Sequence, residues 1–329
     1  MGKVLRSMSK IPVTVITGFL GAGKTSLLNN LIAEYPDKKF AIIENEFGEE
    51  NIDSSLVENI QSEDIFELSN GCICCNLNQE LFVVLQKLVQ SKHNFNHLLI
   101  ETTGIADPGS ILASFVSDPI IKNQFELDSV ICLVDAKNAS SDLKKENVLS
   151  KQIAVADIIL LNKLDLVDEQ GIESVLKLIK EKNQHAEIIQ SEFSILGNHQ
   201  LLDQFSYKPE KIYQHILGLE TNMKDNSNEN RHGVQNMLFK CEEPLDQMKI
   251  GMWLDAFLQF NHDTIYRVKG ILNLAGVDNR IILQSVHTQI QATVGKVWNQ
   301  DEKRESKIVI IGRDLNQSVI EKNLLDLKA

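Results

Sequence analysis

The sequence predicts an α/β fold with a mostly parallel sheet, followed by a smaller C-terminal α+β domain. Short β-branched runs alternate with helical stretches through roughly the first two hundred residues, a rhythm typical of strand–helix–strand units. A glycine-rich loop follows the first apolar run and opens a helix. A polar segment then divides the chain, so we expect a first domain at 1–221, a linker at 222–235 and a second domain at 236–329.

The strands of the first domain are predicted to be buried on both faces. Parallel strands need crossover connections and are covered by helices on each side, so near-continuous apolar runs are expected. The predicted strands are 11–16, 40–43, 64–68, 97–101, 130–134, 157–161 and 187–190. The predicted helices are 26–33, 77–89 and 171–182.

The second domain is predicted to mix strands and helices. A helix at 245–260 carries Trp253, and a final helix begins at Ser318. The predicted strands are 237–241, 264–274, 281–293 and 307–311.

Composition argues against two classes of partner. The chain has 329 residues, of which 43% are hydrophobic, and a formal net charge of -12. This charge repels a nucleic-acid backbone or an anionic membrane, and no local cluster of Lys and Arg offsets it. No apolar run approaches the roughly 18 residues that span a bilayer, and residues 1–12 lack the apolar core of a signal peptide. We therefore expect a cytoplasmic protein that contacts neither nucleic acid nor membrane.

The glycine-rich loop matches the Walker A pattern of P-loop nucleotide-binding proteins. Its glycines let the backbone approach phosphates, and the following helix presents its N–H groups to them. We expect Lys24 to reach the β- and γ-phosphates and the hydroxyl of Thr25 to bind Mg²⁺. The predicted phosphate-binding residues are Gly18, Gly21, Ala22, Gly23, Lys24, Thr25 and Ser26.

A second motif predicts guanine as the base. Asn162, Lys163 and Asp165 form an N-K-x-D pattern that closes the strand at 157–161. The carboxylate of Asp165 can accept hydrogen bonds from the N1–H and the exocyclic amine of guanine, and adenine lacks that donor pair. GTP is therefore predicted over ATP.

The strand at 97–101 ends in a segment suited to sensing the γ-phosphate. Glu101 can hold Mg²⁺ through water, and Gly104 can turn its N–H toward the γ-phosphate. We assign catalytic roles to Lys24, Thr25 and Glu101. Because the sequence declares no water-positioning glutamine and no arginine finger, we expect slow hydrolysis.

Three cysteines predict a transition-metal site. Cys72, Cys74 and Cys75 fall within four consecutive positions, which indicates a ligand cluster in a reducing compartment. Three thiolates suit Zn²⁺, with Co²⁺, Ni²⁺ or copper as alternatives, and leave a fourth position open. Glu44 and Glu49 are candidate additional ligands, together with Glu46, because their segment follows the second strand, where P-loop GTPases keep a switch.

Three other functions remain open on these residues. A P-loop kinase for a small molecule would bind ATP, against which the N-K-x-D pattern argues. A protein that only binds or scavenges metal would show the same metal affinity with and without GTP. A redox sensor would use Cys74 and Cys75 as a thiol pair.

These motifs together resemble the CobW-type GTPases, relatives of the nickel-handling HypB and UreG proteins, and in particular the YjiA-like branch. The resemblance rests on segments 18–25, 44–49, 71–75, 101–108 and 162–165, and on weaker matches at 267–270, 284–286 and 310–313 with Trp298. It implies slow GTP hydrolysis, a divalent metal at the cysteine loop, and transfer of that metal to client proteins. Many members carry a histidine-rich stretch, whereas the linker here holds only His232, so single-site transfer is expected rather than storage. The client, the metal, the oligomeric state and the role of the second domain stay undetermined by the sequence.

Overall fold

The structure is a computed structural model that describes residues 10–44, 65–67, 77–90, 95–145, 147–222, 234–286 and 288–329. The predicted ligands Glu46, Glu49, Cys72, Cys74 and Cys75 lie outside the described residues, as do residues 223–233 of the predicted linker.

A seven-stranded sheet forms the centre of the first part of the chain. The strands lie in the order β3-β2-β4-β1-β5-β6-β7, and each described pair is parallel. The predicted parallel α/β fold is therefore confirmed. The strands are β1 (Ile11–Gly18), β2 (Phe40–Glu44), β3 (Ile65–Glu67), β4 (His97–Glu101), β5 (Phe125–Asp135), β6 (Ile158–Asn162) and β7 (Glu187–Gln190).

Because the strands are parallel, they all end at one edge of the sheet and begin at the other. We call the edge where the strands end the carboxyl edge, and the edge where they begin the amino edge. The strand ends at the carboxyl edge include Gly18, Glu44, Glu101, Asp135 and Asn162. Helices cover both faces with apolar clusters. The helices are α1 (Lys24–Glu34), α2 (Leu77–Gln90), α3 (Pro108–Ser117), α4 (Pro119–Gln124), α5 (Ala139–Lys145), α6 (Asn147–Val155), α7 (Glu169–Lys182) and α8 (Pro209–Asn222).

Several of these helices are absent from the sequence prediction, which named only segments within α1, α2 and α7. The starts of α3 and α4 show why. Each begins at a proline after an aspartate, and Asp107 and Asp118 accept hydrogen bonds from the first turn of their helices. Proline marks turns as often as it marks the first residue of a helix, so composition alone did not separate the two.

The second part of the chain is an antiparallel sheet with helices α9 (Gln247–Phe260) and α10 (Gln317–Leu325) packed on one face. Its strands lie in the order β11-β10-β9-β12-β8, which confirms the α+β prediction. The strands are β8 (Val234–Cys241), β9 (Ile265–Leu272), β10 (Asn279–Val286), β11 (Gln289–Val297) and β12 (Ser306–Arg313).

The predicted single strand at 281–293 is wrong. The segment contains two antiparallel strands, β10 and β11, which pair from Val286–Gln289 outward. The turn between them includes Thr288 and has neither the Asn-Gly nor the Asp-Gly pair that is typical of hairpins. The sequence pattern therefore predicted one continuous strand.

The two sheets share one apolar core. Tyr266, Val309 and Ile311 of the second sheet pack in the same buried cluster as Val13 and Ile100 of the first. The second sheet is therefore fixed against the parallel sheet through buried apolar contacts.

Candidate nucleotide and metal site

The phosphate loop connects β1 to α1 and requires glycine by its geometry. Gly23 has φ 105°, a left-handed conformation, and a Cβ there would lie 2.7 Å from Nδ2 of Asn162. Lys24 is 8% exposed, and its Nζ donates to the carbonyls of Gly18 (3.2 Å) and Phe19 (3.4 Å). The ammonium group therefore lies over the loop that the sequence predicts to hold phosphates.

Three side chains that carry oxygen atoms lie where α1 meets the ends of β2 and β4. The hydroxyl of Thr25 donates to Oε1 of Glu101 at 3.3 Å. Glu44 is the register partner of Glu101, and both carboxylates are buried. Carboxylate and hydroxyl oxygens are the ligands that a hard cation such as Mg²⁺ prefers, so these three side chains could hold one.

The loop after β4 packs directly on the phosphate loop. The backbone N–H of Thr102 donates to the carbonyl of Ile16, and its hydroxyl donates to Oγ1 of Thr17 at 3.0 Å. A Cβ on Gly104 would lie 2.5 Å from the backbone nitrogen of Leu20. The structure thus brings Gly104, predicted to sense the γ-phosphate, against the loop that would hold that phosphate.

The N-K-x-D segment lies beside the phosphate loop. Asn162 donates from Nδ2 to the carbonyl of Ala22 at 3.0 Å, so it ties the two motifs together. Lys163 has φ 63°, and Asp165 lies exposed in the 3₁₀ turn that follows. The carboxylate that the sequence assigned to guanine is therefore open to a ligand.

Asp135 orients Lys163, and the sequence analysis missed it. Its Oδ2 accepts from Nζ of Lys163 at 2.9 Å, and its other oxygen caps the turn at Lys137 and Asn138. Burial acts to raise the pKa of Asp135, but hydrogen bonds from Lys163 and Asn138 outweigh it and lower that pKa below its usual value. The carboxylate stays ionised and keeps the lysine in place. Its signal was a single polar residue at the end of β5.

Ser194 is a second residue that sequence reasoning missed. It is fully buried with φ 58°, its N–H donates to Oδ1 of Asn162 (2.8 Å), and its hydroxyl donates to the carbonyl of Gly23 (3.2 Å). Asn30 of α1 donates to its carbonyl. The available signal was its place in the loop after β7, the last strand that ends at this edge.

The described residues locate where the cysteine segment leaves the sheet. Glu67 ends β3 as the register partner of Glu44, and α2 begins at Leu77. Within the described part of the chain, no group of three or more His, Cys, Asp or Glu side chains is placed to hold a metal ion. The transition-metal prediction therefore depends on the cysteine segment.

A parallel sheet with a phosphate loop, two buried glutamates and an N-K-x-D turn at one edge is typical of P-loop nucleotide-binding proteins. Residues 12–190 match the domain described as "CobW/HypB/UreG, nucleotide-binding domain", and residues 234–328 match the "Cobalamin synthesis protein cobW C-terminal domain". The chain belongs to the CobW/HypB/UreG family, which confirms the resemblance drawn from the sequence.

Named proteins from other organisms are similar to this chain in sequence. The zinc chaperone YjiA of Escherichia coli K12 is 32% identical over 321 residues, spanning 95% of this chain and 97% of that protein. Zinc-regulated GTPase metalloprotein activator 1 of Schizosaccharomyces pombe is 36% identical over 208 residues, 61% of this chain and 51% of that protein.

Solved structures of one such relative superpose on this chain. Zn(II)-bound YjiA GTPase from E. coli superposes with a TM-score of 0.70 at 28% identity, covering 98% of this chain and all of that one. A zinc-bound YjiA mutant with one glutamate and two cysteines replaced by alanine gives 0.71. As for membranes, every helix among the described residues is too short or too polar to cross one.

Proposed function

We propose that this protein is a GTP-dependent zinc chaperone that binds GTP with Mg²⁺, hydrolyses it slowly, and releases bound zinc to client proteins according to nucleotide state. The observation that carries the proposal is the register of three strand ends. Glu67, Glu44 and Glu101 are neighbours at the carboxyl edge, so the segment leading to the cysteines leaves the sheet beside the magnesium site.

The nucleotide lies along the carboxyl edge in this proposal. Lys24 and the N–H groups that open α1 hold the phosphates, and Thr25 and Glu101 hold Mg²⁺. Asp165 accepts from guanine, while Asn162 and Lys163 keep the turn in place through Ala22 and Asp135. Support comes from the geometry above and from relatives whose names include GTPase.

Zinc is the cargo, held by the thiolates of Cys72, Cys74 and Cys75. A glutamate, Glu44 or Glu49, supplies a fourth ligand. Relatives named as zinc chaperones favour zinc over the other metals that thiolates accept. Because Glu44 lies beside Glu101, a bound Mg²⁺·GTP competes for or orients the carboxylate that zinc also needs. In this way the nucleotide state directly changes the affinity for zinc.

We expect slow GTP hydrolysis because the first domain lacks an arginine finger. Arg6 is the only arginine in residues 1–230 of the sequence, and it precedes the first strand, so we expect no arginine finger from this domain. P-loop GTPases without such a group hydrolyse GTP slowly and accelerate when a partner supplies one. A client that stimulates hydrolysis would couple zinc release to its own arrival.

The test is zinc affinity, measured by competition with a chromogenic chelator in three states: without nucleotide, with GDP, and with a non-hydrolysable GTP analogue plus Mg²⁺. Wild type is compared with Cys72→Ser/Cys74→Ser/Cys75→Ser, and with Cys241→Ser as the control, since Cys241 lies apart in β8. We expect affinity to shift about fivefold or more between GDP and the GTP analogue, and to fall sharply only in the triple variant.

Two results would overturn the proposal. An affinity that is the same in every nucleotide state indicates a metal-binding protein without GTP coupling. Preferential binding of ATP indicates the small-molecule kinase. Stoichiometry should be measured as well, because the YjiA mutant with two cysteines replaced still bound zinc.

A further inference from the structure

Helix α6 holds the loop that follows Glu101. Gln152 is fully buried, and its Nε2 donates to the carbonyls of Gly104 (3.2 Å) and Ala106 (3.1 Å). One residue earlier, Lys151 pairs with Oδ2 of Asp107 at 3.2 Å. The loop predicted to sense the γ-phosphate is therefore fixed at three successive points by one helical turn.

The last residue of α6, three positions after Gln152, is held by the second sheet. Arg267 of β9 donates from Nη1 to the carbonyl of Val155, the last residue of α6, at 2.8 Å. Its Nη2 donates to Oδ1 of Asp157, also at 2.8 Å, and the pair is almost fully buried. Lys269 lies 3.7 Å from the same carboxylate oxygen.

This ion pair continues into the parallel sheet. The second oxygen of Asp157 accepts from the backbone N–H of Val130 in β5, at 3.0 Å. Arg267 therefore fixes both the end of α6 and the start of β6, and a planar guanidinium does so with a fixed geometry. Displacing the second sheet would move α6, because a buried charge pair cannot be separated without large cost.

We propose that Gln152 is a positioning residue for the phosphate-sensing loop and that Arg267, through α6, makes its position depend on how the second sheet is docked. The proposal rests on the GTPase function proposed above. Gln152 and Val155 lie three residues apart, about 4.5 Å along the helix axis, so one turn of α6 links the contact with the second sheet to the contact with the loop. A partner that binds the second sheet thereby gains a route to the GTP site without touching nucleotide.

Gln152 acts by orienting the backbone of the loop that follows Glu101. By bonding the carbonyls of Gly104 and Ala106, the amide fixes the peptide planes that follow these two residues. The N–H of Gly104 belongs to the preceding peptide, whose carbonyl on Thr103 accepts from the N–H of Ala106, so the amide orients it through this turn. That direction matters only when a γ-phosphate is present. Loss of the amide should therefore weaken GTP recognition and hydrolysis more than GDP binding.

The experiment compares four full-length variants with wild type: Gln152→Met, which keeps side-chain length but removes the amide; Arg267→Lys, which keeps the charge; the double variant; and Arg280→Lys. Arg280 is the matched control, a buried arginine of the same sheet whose partners are Glu302, Tyr213 and Trp298 rather than α6. The readouts are the dissociation constants of GDP and of a GTP analogue, the kcat and KM of GTP hydrolysis, and a thermal melt to confirm folding.

We expect Gln152→Met to lower kcat and the preference for the GTP analogue over GDP by about tenfold or more, since small misplacements at a reacting centre are costly. Arg267→Lys should lower the same ratio by about threefold, and the double variant should fall short of the product of the two effects because both act through α6. Arg280→Lys should match wild type.

Equal losses of GDP and GTP-analogue affinity in Gln152→Met would overturn the positioning role. An Arg267→Lys protein that matches Arg280→Lys would overturn the coupling to the second sheet. If Arg267→Lys fails to fold, Arg267→Gln replaces it, with the same expectations, because Lys269 still faces Asp157. A wild-type protein that binds no GTP would instead overturn the proposed function, and this inference with it.

Discussion

At the amino edge of the parallel sheet, buried polar groups bond one another. The hydroxyl of Thr14 donates to Oδ2 of Asp128 at 3.0 Å and lies 2.9 Å from Nε2 of His97, and all three side chains are fully buried. The remaining oxygen of Asp128 accepts from the backbone N–H of Phe205. These contacts join three strands of the sheet and the segment at Phe205 within the chain.

At the carboxyl edge, buried charged side chains lie at the strand ends beside the phosphate loop. Glu44 and Glu101 place two carboxylates side by side, and Lys24 is held by carbonyls of the loop it follows. A cation that bound there would offset the repulsion between like charges. The difference teaches that residue burial alone does not separate structural from functional charge. In these two sets the difference is position, because the carboxyl-edge groups border the phosphate loop and the amino-edge groups do not.

The largest expected effect is at the phosphate loop. Lys24→Ala removes the ammonium group that we place on the β- and γ-phosphates, so GTP hydrolysis should fall by roughly 100-fold or more. The melting temperature without nucleotide should stay close to that of wild type. Hydrolysis is measured by phosphate release, and a variant with near-normal kcat would show that Lys24 does not contact the phosphates.

The next effect concerns the base. Asp165→Asn replaces a carboxylate acceptor with an amide, which should weaken GTP binding by roughly 10- to 100-fold. It should also shift preference toward xanthosine triphosphate, whose base carries an oxygen where guanine carries an amine. Competition with a fluorescent GTP analogue measures both. Unchanged GTP affinity would remove Asp165 from the base site.

A substitution at the amino edge should change the stability of the fold rather than the binding of nucleotide. Thr14→Val keeps the side-chain shape but leaves Asp128 and His97 without their shared hydroxyl, which should lower the free energy of unfolding by roughly 1–3 kcal/mol. GTP affinity of the folded protein should not change. Urea titration and nucleotide binding on the same sample check both points, and a loss of affinity without a loss of stability would contradict the division between the edges.

The pH dependence gives the smallest and most specific effect. Burial raises the pKa of Asp128 to about 6, so the native state binds more protons than the unfolded state and this group lowers stability as pH rises from about 4 to about 6. Burial lowers the pKa of His97 to about 4, so this group raises stability as pH rises toward 6.5. In wild type the two contributions oppose each other.

Asp128→Asn removes only the first of these contributions. Stability of the variant should therefore increase with pH between 4 and 6 more steeply than that of wild type, by about 1–2 kcal/mol over the interval. Urea unfolding at closely spaced pH values measures the two curves. Parallel curves would show that Asp128 does not titrate in this range.

The site motifs were predictable because each is contiguous in sequence. The phosphate loop and the N-K-x-D turn place all their groups within a few residues, and each role requires one residue type. Asp135, Ser194 and Gln152 were not predictable in this way. Each is a single polar residue whose role depends on which strand ends and which helix lie next to it in space.

The fold shows the same limit. β2 and β4 were predicted within one residue because polar residues bound their apolar runs. β5 was predicted too short, at 130–134 rather than Phe125–Asp135, because Asp128 and Ser129 interrupt its pattern. Both are fully buried, and Asp128 is satisfied by partners from distant segments. A local pattern does not report such partners.

The most direct measurement is the affinity for a GTP analogue with Mg²⁺ at a series of buffered free-zinc concentrations. Coupling between two binding sites is reciprocal, so if nucleotide changes zinc affinity, zinc must change nucleotide affinity by the same factor. We expect a shift of about fivefold or more that is absent in Cys72→Ser/Cys74→Ser/Cys75→Ser. Identical affinity at every zinc concentration would contradict the coupling and leave a GTP-binding protein whose cysteines serve another purpose.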